Sequence, residues 1–412
     1  MKMKTKRLSP WIGKSLLLCA MLIGILSPFI LAQVTIPSTV RVLEGESWQY
    51  DWLQMDVAEN EWVTVHDTAI EHNSQIESTG IVQTEGVIKL WGIIPLKAVS
   101  LEVWPKRTLQ VGGNMVGIDL FTDGILVLGT GKIQTVKGEE ASPARGVLYA
   151  GDRIRSVNGE KVETVEEMEA VIATGTEAGI RMEIEREGER KTVTVIPKID
   201  KDGKRRIGIW IRDRAQGLGT LTFVDNEKEI FGAVGHGISD VDTEELLPIH
   251  TGILTRARIR HLVRGEAGSP GEVEGSLTGA ICGKITRNTE YGIFGVATDE
   301  IATQGSYEIA LKDQVENDSA VILSDILNGV VDSYAVSIEK ASGIPTFNNG
   351  MVVTVTDERL LNETGGIIQG MSGCPIIQNG KLIGAVTHVF VKDPTKGYGV
   401  YIEDMLNAAE AG

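Results

Sequence analysis

Cysteine, aromatic side chains and metal-binding spacings are scarce in this sequence of 412 residues. The three cysteines, Cys19, Cys282 and Cys374, are too few for a disulfide framework. We expect Cys282 and Cys374 to be separate buried thiols, with a bridge between them as the alternative. No Cys/His spacing predicts a metal site and no glycine-rich phosphate loop follows a strand, so neither a metal nor a cofactor is expected.

Positive charge is also scarce. The chain carries 40 Lys and Arg against 56 Asp and Glu, and residues 1–33 hold five of the basic side chains and none of the acidic ones. The rest of the chain is therefore strongly acidic. Such a surface repels nucleic acid and anionic lipid headgroups, so neither is an expected partner.

An uncharged run dominated by Leu, Ile, Met and Ala, Ser15–Ala32, follows a basic tail. Its length is at the short end for a membrane-spanning helix, and the basic flank predicts a cytoplasmic N-terminus. Ile30-Leu-Ala32 is a poor match to a small-x-small cleavage site, so residues 1–33 predict an uncleaved, single-pass transmembrane anchor. Cleavage is the alternative, and in both cases the remaining chain is extracytoplasmic.

Glycine is abundant, at 48 residues, and apolar stretches are short. These features predict a mainly β chain with many turns. Residues 34–105 are expected to form a small β region or spacer, and residues 106–198 a second module. After the charged linker at 200–206, residues 207–412 predict closely spaced strands in a double β-barrel or sandwich.

Residues 106–198 contain Ala150-Gly-Asp-Arg-Ile154, followed by Val157-Asn-Gly159. This segment resembles a PDZ domain. The resemblance implies that an extended peptide adds as a strand, held at its carboxylate by a loop that corresponds to Met115, Val116, Gly117 and Ile118. The alternative is a module that packs on the following domain and binds no free peptide.

Gly370-Met-Ser-Gly-Cys-Pro375 carries the main chemical signal. The two glycines permit a strained turn that exposes the Ser372 hydroxyl and aims the backbone N–H groups of Gly370 and Ser372 at one point. Stabilising an oxyanion requires such a pair of donors. The segment is similar to Gly-Asp-Ser-Gly-Gly-Pro of chymotrypsin-like serine peptidases.

A serine nucleophile needs a base, and His236 lies between glycines after a predicted strand. His388, on the strand after the serine, is interpreted as a core or surface-strand residue. The acid that orients the base has three candidates by sequence: Asp240, Asp299 and Asp357. Spacing does not choose between the last two.

With the anchor and the PDZ-like segment, Gly235-His-Gly-Ile238 and Gly370–Val389 resemble the stage IV sporulation protein B (SpoIVB) peptidases of endospore-forming bacteria. The resemblance implies a chymotrypsin-like serine endopeptidase with His236, Asp357 and Ser372 as its triad and an acyl-enzyme mechanism. Family members act in the space between forespore and mother cell. They cleave themselves and a regulatory subunit of an intramembrane protease complex, which leads to activation of sigma factor K.

Two rival interpretations follow from the same residues. Cys374 could replace Ser372 as nucleophile, which would leave the glycine-flanked serine without a purpose. Alternatively, the chain is an inactive membrane-tethered scaffold that binds peptides through its PDZ-like segment. A scaffold has no need for both His236 and Ser372 in glycine-flanked turns, so the peptidase is the favoured interpretation.

Overall fold

A computed structural model gives the fold of most of the chain. The described residues are 21, 26–27, 29–46, 49–50, 53–58, 63–66, 69–72, 81–176, 178–240, 243–298, 301–340 and 350–411. They divide into two compact units, Met1–Arg107 and Thr108–Gly412. Both units consist mainly of β-strands, as the sequence predicts.

The first unit is a small β structure with its own core. Its strands are β1 (Thr39–Leu43), β2 (Gln49–Tyr50), β3 (Leu53–Val57), β4 (Val63–His66), β5 (Ala69–His72), β6 (Val82–Leu90) and β7 (Ile94–Trp104). Five of them form a sheet in the order β1-β7-β6-β3-β2, and β4 pairs with β5. Alternate residues of β1 and β7, such as Val40 and Leu101, are fully buried against this sheet's core.

The predicted membrane anchor lies largely outside the described residues. Residues 29–35, at its C-terminal end, are helical. Within the part of the chain that the structure describes, no helix is both long enough and apolar enough to cross a membrane.

The described part of the second unit contains the remaining strands and three helices. The strands are β8 (Thr108–Val111), β9 (Met115–Thr130), β10 (Ile133–Gln134), β11 (Glu140–Ala141), β12 (Arg153–Val157), β13 (Glu160–Lys161), β14 (Ile180–Arg186), β15 (Glu189–Val195), β16 (Lys198–Ile199), β17 (Arg205–Arg206), β18 (Ile209–Asp225), β19 (Ile230–Ala233), β20 (Ile249–Val263), β21 (Glu272–Thr289), β22 (Gly292–Ala297), β23 (Ser306–Ile309), β24 (Ser319–Ser324), β25 (Asp332–Lys340), β26 (Met351–Val355), β27 (Pro375–Gln378), β28 (Lys381–Val389) and β29 (Lys396–Tyr401). The helices are α1 (Val165–Thr174), α2 (Glu358–Thr364) and α3 (Ile402–Glu410), and Lys312–Gln314 forms a 3₁₀ turn.

Two closed barrels of six strands each form most of this unit. In the first barrel the antiparallel order is β9-β18-β19-β22-β21-β20, and β20 returns to β9. In the second barrel the order is β24-β25-β26-β29-β28-β27, and β27 returns to β24. Closure leaves no unpaired sheet edge within each barrel. The predicted double β-barrel is therefore present.

The PDZ-like segment is built onto the first barrel by two shared strands. Its sheet has the order β15-β14-β12-β9-β18, using the second half of β9 and the first residues of β18. Helix α1 begins with a capping box formed by Thr164 and Glu167, and it buries Met168 and Ile172 in this segment's core. Because β9 and β18 continue into the first barrel, no linker separates this segment from the barrel at either strand.

Candidate active site

Ser372 lies in the turn that connects α2 to β27 of the second barrel. The backbone φ angles of Gly370 and Gly373 are 105° and 99°. A side chain on Gly373 would also collide with its surroundings, because its Cβ would lie 2.1 Å from the carbonyl oxygen of Thr220. The strained turn that the sequence predicts is thus present, and it closes against the first barrel.

Two threonines of β18 hold this turn in place. The Thr220 backbone N–H donates to the Ser372 carbonyl at 2.8 Å, and the Thr220 hydroxyl donates to the Gly370 carbonyl at 3.0 Å. The Thr222 hydroxyl donates to the Gly373 carbonyl at 2.8 Å. Both threonines are fully buried, so these bonds are shielded from water. The first barrel therefore fixes the position of a residue on the second.

The backbone N–H groups around Ser372 alternate between paired and unpaired. Those of Met371 and Gly373 donate to the carbonyls of Ile368 and Val386. Those of Gly370 and Ser372 have no acceptor among the described residues. Two unpaired donors on a rigid turn, one residue apart, can stabilise a developing oxyanion, which is the role the sequence predicts for this pair.

The Ser372 hydroxyl donates a hydrogen bond of 2.5 Å to the backbone carbonyl of Thr387 on β28. Ser372 is half-buried. Its Oγ can reach another acceptor by rotation about χ1 between staggered positions, without movement of the backbone. In the state described, the hydroxyl is held by the second barrel and makes no hydrogen bond to an imidazole.

His236 follows β19 of the first barrel, after a strained turn. Val234 has a φ of 72°, which is rare for a β-branched residue, and the Gly235 N–H donates to the Ala233 carbonyl across it. The His236 Nδ1 lies 2.8 Å from the carbonyl oxygen of Gly237. Since a carbonyl only accepts, Nδ1 carries the proton and Nε2 keeps a lone pair. Burial lowers the pKa of His236 below its ordinary value of 6.5, which favours the neutral base.

His388 packs against this imidazole. The two ring centroids are 4.2 Å apart, with an angle of 32° between the ring planes. Burial, with a smaller contribution from His236, lowers the pKa of His388 to about 4. The interpretation of His388 as an ordinary strand residue missed this contact, because β28 is distant in sequence from the His236 turn.

A cavity of about 430 Å³ joins these residues. Ser372, His236 and His388 all line it, so the structure brings the predicted nucleophile and base to one site between the barrels. The remaining lining is largely apolar and comes from both barrels. It includes Ile118, Leu218, Val234, Ile238, Ile367, Ile368, Val389 and Val391.

Asp357 is not in this cavity, which corrects the predicted triad. It is the N-cap of α2, and its carboxylate accepts hydrogen bonds from the backbone N–H and guanidinium of Arg359 and from the Ala335 N–H. The Arg359 hydrogen bond lowers the pKa of Asp357 to about 2. The acidic side chain just after β26 is thus used to begin a helix and to pair with an arginine, and its hydrogen bonds do not include His236.

Of the other two acidic candidates, one is described by the structure and is engaged by other partners. Asp240 is buried and forms an ion pair with Arg212, and it also accepts the Thr243 N–H at 3.0 Å. Asp299 lies outside the described residues. Among the described residues, the hydrogen bond that His236 makes through Nδ1 goes to the Gly237 carbonyl.

Cys282 and Cys374 are two buried thiols and do not form a disulfide, as expected. Burial raises the pKa of Cys374 to about 11, so its thiolate is scarce at neutral pH. The Cys374 thiol points to the Thr220 hydroxyl at 3.6 Å. Its surroundings are those of a packing residue and not of a nucleophile.

The predicted peptide loop at Met115–Ile118 is wrong. These residues form the start of β9 in the first barrel, where β18 pairs on one side and β20 on the other, so no edge is open to an added strand. Ile209–Arg212 of β18 form one edge of the PDZ-like sheet and pair with β9 alone among the described residues.

Comparison with known proteins agrees with both parts of this architecture. Residues 203–406 match the family SpoIVB peptidase S55, and residues 125–185 match the PDZ domain family. Among curated proteins no relative matches the chain. The PDZ match begins after the first half of β9, in agreement with the shared strand.

Solved structures resemble parts of the chain. A PDZ domain of an SdrC-like protein from Listeria monocytogenes is 25% identical over 22% of this chain and 87% of its own, with a TM-score of 0.17. The HtrA-type protease AlgW with a decapeptide is 12% identical over 50% of this chain and 56% of its own, with a TM-score of 0.28. The protease Anisep from Arthrobacter nicotinovorans is 14% identical over 48% of this chain and 91% of its own, also with a TM-score of 0.28.

The family match alone identifies the chain, and the solved structures are not needed for it. The match covers the second barrel and the strands of the first barrel from β18 onward. It coincides with the segment that holds the His236 turn, the Ser372 turn and the cavity between them. The chain belongs to the SpoIVB peptidase S55 family and is a serine endopeptidase with a PDZ domain.

Proposed function

We propose that Ser372 is the nucleophile and His236 the general base of this peptidase. The supporting observation is that both line one cavity, beside the two unpaired N–H groups of Gly370 and Ser372. Substrate binding turns the Ser372 hydroxyl from the Thr387 carbonyl toward the His236 Nε2. Ser372 Oγ then attacks the scissile carbonyl while Nε2 takes the Ser372 proton. The imidazolium returns this proton to the leaving amine as the peptide C–N bond breaks, and water, deprotonated by Nε2, hydrolyses the resulting acyl-enzyme.

In this proposal a backbone carbonyl does part of the work of a triad acid. The Gly237 carbonyl accepts a hydrogen bond from Nδ1–H of His236 and so fixes the tautomer. The His388 ring packs on the imidazole and holds its plane. A carbonyl carries no charge, so it stabilises the imidazolium less than a carboxylate does. The lowered pKa of His236 is consistent with that weaker support.

We further propose the biological setting that the family resemblance implies. The enzyme is anchored by residues 1–33 and acts in the space between forespore and mother cell. There it cleaves itself and a regulatory subunit of an intramembrane protease complex, which leads to activation of sigma factor K. The supporting observations are the S55 family match and the basic, then apolar, N-terminal sequence.

A time course of the full-length chain in detergent tests the activity, with Ser372→Ala as the inactive variant and Cys374→Ala as the matched control. We expect the parent and Cys374→Ala to trim the N-terminal region and Ser372→Ala to stay intact on gels and by mass spectrometry. If all three are trimmed alike, another protease is responsible. If all stay intact and added peptides are uncut, the peptide-binding scaffold is the better description.

The biological role needs a cellular test. In an endospore former that lacks its own enzyme of this family, the parent gene should restore processing of the sigma factor K precursor on immunoblots, and the Ser372→Ala gene should not. Restoration by both genes, at equal protein levels, would contradict a proteolytic role.

A further inference from the structure

The part of the cavity next to Ser372 has a composition that predicts what the enzyme cleaves. Among the described residues, neither an acidic nor a lysine or arginine side chain lines the cavity. Its two histidines are neutral at pH 7, since burial lowers both their pKa values. A charged substrate side chain placed here would lose its hydration without gaining an oppositely charged partner, which is costly.

The geometry identifies which substrate residue enters this space. The carbonyl oxygen under attack must lie at the N–H groups of Gly370 and Ser372. The residue that owns this carbonyl, here named the acyl-side residue, therefore has its Cα beside the segment leading into Ser372. The cavity walls nearest in sequence to this segment and to the Thr387 carbonyl are formed by Ile367–Gln369 and by Thr387–Val389 of β28.

Two aliphatic side chains set the size of this space. Ile367 is buried, and its backbone N–H donates to the Pro394 carbonyl at 2.8 Å. Its Cδ1 packs on Gly397 and would lie 2.7 Å from a Cβ on that glycine. These contacts fix its position. Val389 is half-buried on the opposite wall. Both residues line the cavity, and neither has a polar side-chain atom to offer.

We propose that this wall is the specificity pocket for the acyl-side residue and that it selects an aliphatic side chain of the size of alanine, valine or leucine. Val389 is then the residue that limits the size. The inference rests on the proposed roles of Ser372 and His236. It adds to them the substrate class and a specificity-determining residue.

The test uses the full-length chain in detergent with a peptide series that differs only at the acyl-side position: Ala, Val, Leu, Phe, Lys and Asp. We expect kcat/KM for the best aliphatic peptide to exceed that for Lys and Asp by at least about 100-fold, because an unpaired charge would be buried. Val389→Ala should raise the Phe-to-Val ratio of kcat/KM by about 10-fold or more, since it removes two methyl groups from the wall.

Val391→Ala is the matched control. Val391 lines the same cavity but is 54% exposed at its rim, so the same substitution there should leave the Phe-to-Val ratio within about 2-fold. Two results would overturn this inference and leave the proposed function standing. One is Ser372-dependent cleavage that accepts Lys or Asp as readily as Val. The other is a Phe-to-Val ratio of kcat/KM that Val389→Ala leaves unchanged. Cleavage that persists in Ser372→Ala would instead overturn the proposed function.

Discussion

Replacing Gly373 by alanine tests whether the closure of the Ser372 turn against the first barrel is needed for stability and activity. Gly373 has a φ of 99°, and a Cβ there would lie 2.1 Å from the Thr220 carbonyl oxygen and 2.5 Å from the Val234 nitrogen. The backbone conformation alone costs alanine about 1–2 kcal/mol. The overlap adds about 1–3 kcal/mol, because both atoms belong to fixed backbone.

Gly380→Ala separates these two contributions. Gly380 also has a positive φ, of 75°, but no atom lies within 4 Å of the position its Cβ would take. We expect Gly380→Ala to lower the free energy of unfolding by about 1–2 kcal/mol and to leave kcat/KM nearly unchanged.

For Gly373→Ala we expect about 2–5 kcal/mol of destabilisation, by addition of the two costs. We also expect a loss of at least about 100-fold in kcat/KM, because a shift of the turn misplaces Ser372 and both oxyanion donors. Urea unfolding and peptide hydrolysis measure the two effects. Equal destabilisation by the two variants, with activity retained in Gly373→Ala, would refute the argument that the first barrel fixes the Ser372 turn.

Three further predictions concern the ionisable groups. Asp357→Asn keeps an N-cap but removes the charge paired with Arg359. The pKa of Asp357 is lowered from 3.8 to about 2 in the folded protein, so the parent should lose stability relative to Asp357→Asn as the pH falls from 3.8 to about 2. Urea unfolding midpoints of the two proteins measure this loss. A difference in midpoint that stays constant over this pH range would contradict the pairing. In a pH–rate profile, the midpoint of the acidic limb of kcat/KM should lie below pH 6.5, because burial lowers the pKa of His236 and the base must be neutral. A midpoint above pH 7 would contradict His236 as the base. His388→Ala should lower kcat/KM by about 2- to 10-fold through lost ring packing, whereas His388→Phe should retain most of the activity; equal losses in both would mean that the His388 nitrogens, and not its ring, matter.

Local patterns predict much of the site. The spacing of Gly370, Ser372 and Gly373 predicts a strained turn with two free N–H groups, and the structure has both. These are properties of a short segment, set by which residues tolerate a positive φ. The glycine-rich composition and short apolar runs likewise predict the mainly β architecture.

Contacts between distant segments are not predictable from the same patterns. The stacking of His388 on His236 joins β28 to the turn after β19 across the two barrels, and no periodicity records it. The same limit explains Asp357, since a carboxylate after a strand can orient a histidine or begin a helix. Asp357 is itself a favoured N-cap residue, and the structure shows that it caps α2.

The PDZ error has a related cause. Met115–Ile118 are predicted as a loop, but they begin a strand of the first barrel, and the sequence does not show which sheet this segment joins. In this structure one edge of the PDZ-like sheet lies at Ile209–Arg212, which follow the module in sequence. Strand order in a sheet depends on tertiary pairing, so the position of an edge is not readable from the order of segments in the chain.

The central claim is that Ser372 is a nucleophile activated by His236, and labelling with a fluorophosphonate tests it most directly. The full-length chain in detergent is treated with the reagent, digested and analysed by mass spectrometry, beside His236→Ala. The account predicts a single phosphonyl adduct on Ser372 of the parent and labelling at least about 100-fold slower in His236→Ala. An adduct on another residue, or equal labelling of Ser372 in both proteins, would contradict it.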